Sequence, residues 1–374
     1  MLSNNIEAFF ALLRAGLWEK EVRLSQSEKI DFNEVYRLAE EQTVIGLIAA
    51  GLEHITDWKV PKEVALRFAR DTMQLEQRNL SMNQFIGDLI GRMKESGVET
   101  LLVKGQGIAQ CYKRPLWRAA GDVDLFLDEA NYLNAKELFQ GIASSMREEN
   151  KYTKHVGMTV GPWDVELHGN MRASVTAKMD GVIDEVQTDT FTNHNVRVWR
   201  NGEMDIPLPS PDNDVIFVFT HILHHFYRGG GIGLRQICDW CRLLYVYNDR
   251  IDGALLKKRL EEAAIVPEWK MFGGLAVKFL GMPEDAMPFY EEPSEKGLKK
   301  ILKLLGFIVE RGNFGHKRDL SYYGKYPFLI RKFISLWRKG GDILHHFQLF
   351  PANSRHYFFR FLYSGLTSAA RGRG

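Results

Sequence analysis

The sequence predicts an α+β fold, in which a small mixed β-sheet lies between an N-terminal and a C-terminal helical region. Three observations support this prediction. Apolar residues follow helical spacing over roughly the first hundred positions, short β-branched runs with turn signals occupy residues 96–206, and helical spacing returns after the proline-rich stretch at 207–211. We therefore expect three parts, at residues 1–95, 96–206 and 207–374.

The N-terminal part contains three stretches with helical periodicity. They cover residues 5–18, 32–52 and 62–96. The third stretch is long and charged, and Pro61 stands directly before it, at a position where proline favours a helix start. We predict one long helix, or two joined helices, over residues 62–96.

The central part alternates between strand and helix signals. A glycine-proline pair separates two strand patterns, and an Asn201-Gly202 pair indicates a hairpin. The predicted strands cover residues 98–103, 123–127, 155–160 and 163–168, the predicted hairpin covers 196–206, and a helix is predicted over 131–146.

Composition and charge exclude several classes of protein. The chain has 374 residues, of which 45% are hydrophobic and 26% charged, and its net charge is +2. This is ordinary globular composition, and it argues against a surface that is polyanion-binding as a whole. Three cysteines are too few for a disulfide framework, and no apolar run approaches the roughly 20 residues of a membrane span. Because the N-terminus lacks signal-peptide features, we predict a cytoplasmic protein without a membrane span.

Two aspartates at alternate positions of a predicted strand are the strongest chemical signal. Asp122 and Asp124 flank Val123, and residues i and i+2 of a strand face the same side. Neighbouring carboxylates repel each other unless a cation lies between them, and carboxylate oxygens suit Mg²⁺. Asp-x-Asp also occurs simply at strand ends, so the pair indicates a metal site only in combination with the residues around it.

Basic residues and a glycine turn stand beside this pair. Lys104 and Gly105 lie between a predicted strand and a predicted helix, where backbone N–H groups can approach a phosphate. Arg114 and Arg118 precede the aspartates and are able to bind phosphate in a bidentate manner.

A second strand offers further acidic groups. Asp164, Glu166 and His168 alternate along residues 163–168 and therefore share one face. If this strand lies beside the aspartates, Glu166 completes a three-carboxylate metal site, with Asp164 as its competitor for the third position. One of these two acids would accept the acceptor's proton, and His168 would orient a ligand or the acceptor.

At these residues the chain resembles the bacterial uncharacterised nucleotidyltransferase family, distant kin of the polymerase-β-type and kanamycin-type nucleotidyltransferases. The resemblance covers roughly residues 35–245. It rests on residues 93–98 (MKESGV), 101–105 (LLVKG), Tyr112, Arg118, 121–125 (GDVDL), His155, 165–168 (VELH) and 234–239 (LRQICD).

The resemblance implies site residues and an activity. Asp122, Asp124 and Glu166 match the metal-binding and catalytic acids, and Lys104, Gly105 and Arg118 match the nucleotide-binding positions. The wider superfamily has Gly-Ser or Gly-Gly in the turn, whereas Gly105 is followed by Gln106. The implied reaction moves a nucleoside monophosphate from an NTP to a hydroxyl or phosphate acceptor that the resemblance does not identify. It implies Mg²⁺ in a two-metal site, in which the acids hold either two Mg²⁺ ions or one free ion and one delivered with the NTP.

Two alternatives remain open at this stage. The same fold could serve a non-catalytic regulator or scaffold that binds a nucleotide or a partner. It could also serve an RNA-modifying nucleotidyltransferase, because residues 325–374 combine basic residues with aromatic ones, including Trp337 and residues 357–359. These residues could bind RNA or anionic lipid, or could simply form a helical cap.

A histidine and cysteine cluster follows the central part. Cys238 and Cys241 have CxxC spacing but lie within a helical pattern, so we expect them to be buried structural residues. With His221 and His225 they could instead form a tetrahedral zinc site. The favoured alternative is that His221 or His225 lines the nucleotide cleft or packs within the helical region.

Overall fold

The computed structural model describes residues 4–24, 30–150, 153–228, 231–312 and 326–370, and it confirms the α+β class. A five-stranded mixed sheet has the order β1-β2-β5-β4-β3, in which β2 and β5 are parallel and the other neighbours antiparallel. Its strands are β1 (Leu101–Val103), β2 (Val123–Phe126), β3 (Ser145–Met146), β4 (His155–Val160) and β5 (Trp163–His168).

The N-terminal region is helical, with one departure from prediction. Residues 32–52 form two helices rather than one, because Thr43 adopts a φ of 59° and interrupts the helical hydrogen bonding. The prediction of a long helix after Pro61 is confirmed as a single helix of 34 residues. The helices are α1 (Asn4–Trp18), α2 (Phe32–Glu41), α3 (Ile45–Glu53) and α4 (Lys62–Glu95).

Two boundaries in the sheet region differ from the sequence-based prediction. The helix predicted at 131–146 is α6 (Glu129–Gln140), which starts earlier because the Asp128 carboxylate accepts a hydrogen bond from the backbone N–H of Asn131. The residues after it form β3, at the edge of the sheet. The strand predicted from residue 98 begins only at Leu101, and a short helix, α5 (Gly105–Ala109), follows it.

The hairpin at Asn201-Gly202 is confirmed, but it forms a sheet of its own. Its strands are β6 (Val196–Asn201) and β7 (Met204–Pro209). The Asn201 side-chain amide donates to the backbone carbonyl of Asn83 on α4 over 2.7 Å, which fixes the hairpin against that helix. The helix α7 (Ala177–Thr192), capped by Thr176, was not predicted.

The C-terminal region is helical, as predicted. A 3₁₀ turn covers Pro115–Trp117 in the central region, and a second covers Glu284–Ala286. The helices are α8 (Pro211–Arg228), α9 (Leu234–Val246), α10 (Gly253–Glu262), α11 (Val266–Leu280), α12 (Glu295–Arg311), α13 (Phe328–Leu349) and α14 (Pro351–Ala370). Among the described residues, no helix combines the length and apolar character that a membrane span requires.

Two apolar clusters hold these elements together. One lies between the sheet, α4, α6 and the hairpin, and contains Met82, Leu125 and Val165. The other contains residues of α1–α3 together with residues of α8–α12. Trp18 of α1 also donates to the carbonyl of Leu280 at the end of α11, over 2.6 Å. Because this cluster joins helices from both ends of the chain, the division into three parts at residues 95 and 206 stays a prediction.

Candidate active site

Strand pairing brings the predicted acids together. β2 and β5 run parallel with Asp124 opposite Glu166, so both carboxylates lie on one face, and Asp122 directly precedes β2. One carboxylate oxygen from each of Asp122, Asp124 and Glu166 lies within 4.8 Å of the others, and we call these three side chains the carboxylate cluster. The backbone register alone thus creates a cation-sized cluster of oxygen atoms.

Lys104 balances part of this negative charge. It follows β1, adopts a φ of 58°, and places its Nζ 2.8 Å from Oδ1 of Asp124. Burial opposes the charge on Lys104, but the carboxylates of Asp124 and Asp122 outweigh it and raise the lysine pKa. The Lys104 side chain is therefore protonated beside the carboxylates at neutral pH.

Two histidines complete an alternating chain of acids and bases. His168 Nε2 lies 2.8 Å from Asp124 Oδ1 and 3.5 Å from Glu166 Oε2. His155 Nε2 lies 3.0 Å from the same oxygen of Glu166. Burial opposes the charge on His168, but these hydrogen bonds with Asp124 and Glu166 outweigh it and raise the histidine pKa. His155 belongs to the resemblance but had no predicted role.

The three carboxylates differ in how their charge is balanced. Burial would raise the pKa of Asp124, but the Lys104 ammonium and the His168 hydrogen bond outweigh it and lower that pKa. Glu166 behaves in the same way because of its hydrogen bonds with His155 and His168. The pKa of Asp122 is raised, mainly because it faces the Asp124 carboxylate. Among the three acids, Asp122 is therefore the one whose pKa the positive charges around it do not bring below its ordinary value.

A cavity of about 400 Å³ opens over these side chains. We call its two sides the sheet wall (Lys104, Asp122, Asp124, His155, Glu166 and His168) and the helix wall (His221, His224, His225 and Arg228 of α8). Gly105 also lines the cavity with a φ of 40°. His221 and His225, which we expected either to line the nucleotide cleft or to pack within the helical region, both line this cavity.

Arg118 lies in the cavity lining but is partly committed elsewhere. Its guanidinium forms a buried bidentate pair with Asp239 of α9, at 3.0 and 2.6 Å, and Tyr112 donates to the same carboxylate. The remaining Nη1 is buried without a hydrogen-bond partner. Arg235 and Asp239 line the cavity too. Sequence reasoning missed both, although they lie within the quoted LRQICD segment.

Two residues proposed from the sequence lie away from the cavity. Asp164 shares the face of Glu166, but its side chain is 58% exposed and its nearest cation is Arg147, at 3.9 Å. Arg114 pairs with Glu19 at 3.0 Å and with Glu53 at 2.7 Å. Neither residue belongs to the cavity lining.

The cysteines are buried in α9. Cys238 and Cys241 are both fully buried, and burial raises the pKa of each thiol, which makes them poor nucleophiles. His225 Nε2 lies 3.0 Å from His221 Nε2. Within the described ranges, the side-chain groups able to hold a metal contain neither cysteine and neither of these histidines.

The basic and aromatic C-terminal segment presents a mixed surface. Trp337 and Phe359 are exposed, whereas Tyr357 is buried and Arg360 pairs with Asp180 at 2.9 Å. Lys325 and residues 371–374, which contribute to the predicted basic character, lie outside the described residues.

The comparisons with known proteins agree with this geometry. A family model described as uncharacterised nucleotidyltransferase matches residues 28–281, which is more than half of the chain and includes every residue of the carboxylate cluster. Searches among curated proteins and among solved structures found no match. The chain therefore belongs to the uncharacterised nucleotidyltransferase family.

Proposed function

We propose that the protein transfers a nucleoside monophosphate from an NTP to a hydroxyl or phosphate group of an acceptor, with release of pyrophosphate. The observation that carries this proposal is the approach of Asp122, Asp124 and Glu166 within 4.8 Å at the base of a cavity. Membership of a nucleotidyltransferase family supports nucleotidyl transfer in general.

The donor set fits Mg²⁺. It consists of carboxylate oxygens, the hard ligands that Mg²⁺ prefers, and the raised pKa of Asp122 reflects negative charge that a cation would balance. We propose that Asp122, Asp124 and Glu166 hold Mg²⁺ in a two-metal site. Bound there, the metal would neutralise charge on the transferring phosphoryl group and on the leaving pyrophosphate.

The remaining residues of the site would bind the nucleotide. Lys104 brings a buried positive charge to the carboxylates, and Arg118 retains an unpartnered N–H group beside them. Gly105 lets the backbone approach a phosphate without obstruction by a side chain. We propose that these three hold the phosphates, while His168 positions Asp124 and Glu166 through its hydrogen bonds.

The proposed reaction forms a bond between the acceptor oxygen and the α-phosphorus, and breaks the bond from that phosphorus to the β-phosphate bridging oxygen. The acceptor proton would pass to Glu166, which lines the cavity. Asp164 is the weaker choice, since its carboxylate lies at the exposed end of the strand.

Label transfer tests the proposal. Wild-type protein would be incubated with a cell extract and NTPs labelled at the α-phosphate, in parallel with Glu166→Gln. We expect the wild type to label an acceptor, and the variant to lose this activity by about a hundredfold or more, as expected when a metal ligand worth several kcal/mol is removed.

Asp164→Asn is the matched control. It removes a carboxylate two residues earlier on the same face of β5, outside the cavity, so activity should stay within about twofold of wild type. Equal labelling by wild type and Glu166→Gln would refute the proposal. Metal-independent nucleotide binding with no transfer would instead favour the regulator or scaffold, and labelled product destroyed by ribonuclease would identify an RNA acceptor.

A further inference from the structure

We infer that His155, Glu166 and His168 form a second cation site, which takes a first-row transition-metal ion in preference to Mg²⁺. The site shares Glu166 with the carboxylate cluster but differs from it in its other ligands. The inference does not depend on nucleotidyl transfer, since it concerns binding alone.

Strand register builds this site as it builds the first one. His155 of β4 lies opposite His168 of β5, and Glu166 is two residues before His168 on the same face. The Nε2 atoms of His155 and His168 lie 3.0 and 3.5 Å from one oxygen of Glu166. One ligand atom from each side chain lies within 4.8 Å of the others.

The two imidazoles are oriented as a pair. Their ring centroids are 4.7 Å apart and the ring planes differ by 30°, and the Nε2 atoms of both rings lie within 3.5 Å of Oε2 of Glu166. All three residues line the cavity and are only partly buried, so an ion can reach them from solvent. The remaining coordination positions would be available to water or to a substrate oxygen.

The chemistry of the donor set selects the ion. Imidazole nitrogen binds Zn²⁺, Co²⁺ and related ions well, whereas Mg²⁺ prefers oxygen ligands throughout. Two histidines and one carboxylate are a common set for such ions. Gly157 stands opposite Glu166 on β4, and the Arg147 side chain lies over this glycine, with its Nη1 4.0 Å from Glu166 Oε1, the oxygen that the histidines do not contact.

Occupancy would couple the two cation sites. Nε2 of His168 is within hydrogen-bond distance of Asp124 Oδ1, at 2.8 Å. Binding of an ion to that nitrogen would end this contact and leave Lys104 Nζ, at 2.8 Å, as the remaining side-chain partner described for this Asp124 oxygen. The transition-metal site would thus influence Mg²⁺ binding as well as add a charge.

Cobalt binding tests the inference. Chelator-treated wild-type protein would be titrated with Co²⁺, whose visible absorption reports ligand type and geometry, and Zn²⁺ would then be added as competitor. We expect one Co²⁺ per chain, displaced by Zn²⁺ but not by excess Mg²⁺. His155→Gln should weaken Co²⁺ binding by about a hundredfold, since one of three protein ligands is lost.

Three further measurements separate the possible outcomes. His356→Gln removes an exposed histidine of α14 and should leave Co²⁺ binding unchanged. Asp122→Asn alters only the carboxylate cluster and should also retain Co²⁺. Nitrogen coupling in the electron paramagnetic resonance spectrum of wild type loaded with Cu²⁺ would report imidazole ligation without any variant.

The inference is overturned if His155→Gln folds normally by circular dichroism and binds Co²⁺ like wild type. It is also overturned if excess Mg²⁺ displaces Co²⁺, or if the Cu²⁺ spectrum shows no nitrogen coupling. Absence of nucleotidyl transfer with intact Co²⁺ binding would refute the proposed function and leave this site standing.

Discussion

The two walls of the cavity both carry histidines, but the histidines are in opposite electrostatic situations. On the sheet wall, carboxylates overcome the effect of burial and raise the pKa of His168. On the helix wall, burial lowers the pKa of His224 to about 4 and that of His225 to about 3. The pKa of the same residue type is thus raised on one side of the cavity and lowered on the other.

This difference shows what determines charge in the site. The acids that raise the pKa of His168 are brought to it by strand register, whereas on α8 burial dominates and lowers the pKa of His224 and His225. A substrate between the walls would meet acids and bases in contact with each other on one side, and on the other buried histidines together with Arg228. The following substitutions test that contrast.

The largest effect is expected on the sheet wall. Lys104→Met should lower the free energy of unfolding by about 3 kcal/mol, because the buried Asp124 carboxylate loses its ammonium partner. Urea unfolding monitored by circular dichroism measures this. Lys154→Met is the control: Lys154 pairs with Glu129, but both side chains are well exposed, so the change should be below about 1 kcal/mol. Equal losses in both variants would show that the sheet wall is not an electrostatically coupled unit.

A smaller effect, with a characteristic pH dependence, is expected on the helix wall. The folded pKa of His225, about 3, lies below its ordinary value of 6.5, so the unfolded chain binds more protons as the pH falls below about 6.5. The contribution of His225 should therefore destabilise the folded protein progressively between about pH 7 and pH 5. His225→Gln should lose about 1–2 kcal/mol less than wild type over that interval, measured by urea unfolding at each pH.

The sheet wall should show the opposite sign. The folded pKa of His168 is raised, so its contribution to stability is present below about pH 6.5 and is lost as the pH rises through the higher folded value. His168→Gln in the presence of a chelator should therefore be most damaging at mildly acidic pH. The contrast between the walls fails if both variants change stability in the same direction with pH.

The smallest effect is expected at the hydrogen bond between Tyr112 and Asp239 of α9. The Tyr112 hydroxyl donates to Asp239, which also binds Arg118. Tyr112→Phe removes this hydrogen bond but leaves the ion pair, so the cost should be about 1 kcal/mol in thermal or urea unfolding. A loss several times larger would indicate that the Arg118–Asp239 pair depends on the hydroxyl.

The sequence predicted the parts of the site that follow from strand periodicity. The α+β class, β4, β5 and the approach of Asp124 to Glu166 all depend on local pattern and on one assumption, that the two strands are neighbours. The partnership of Arg118 with Asp239 could not be predicted, because it joins residues 121 positions apart through the packing of α9. Asp164 was indistinguishable from Glu166 by periodicity, and only the position along the strand separates them. The break at Thr43 lacked a glycine or proline signal.

The in-register pairing of β2 with β5 has a consequence for how the chain can tolerate change in length. Side chains alternate between the two faces of a strand, so one residue inserted between Val165 and Glu166 would turn the glutamate towards the apolar cluster beneath the sheet. An insertion at the Gly161-Pro162 turn, which joins β4 and β5, would leave the pairing of β5 with β2 and with β4 intact. Within this part of the chain, natural or engineered additions are therefore confined to the turns.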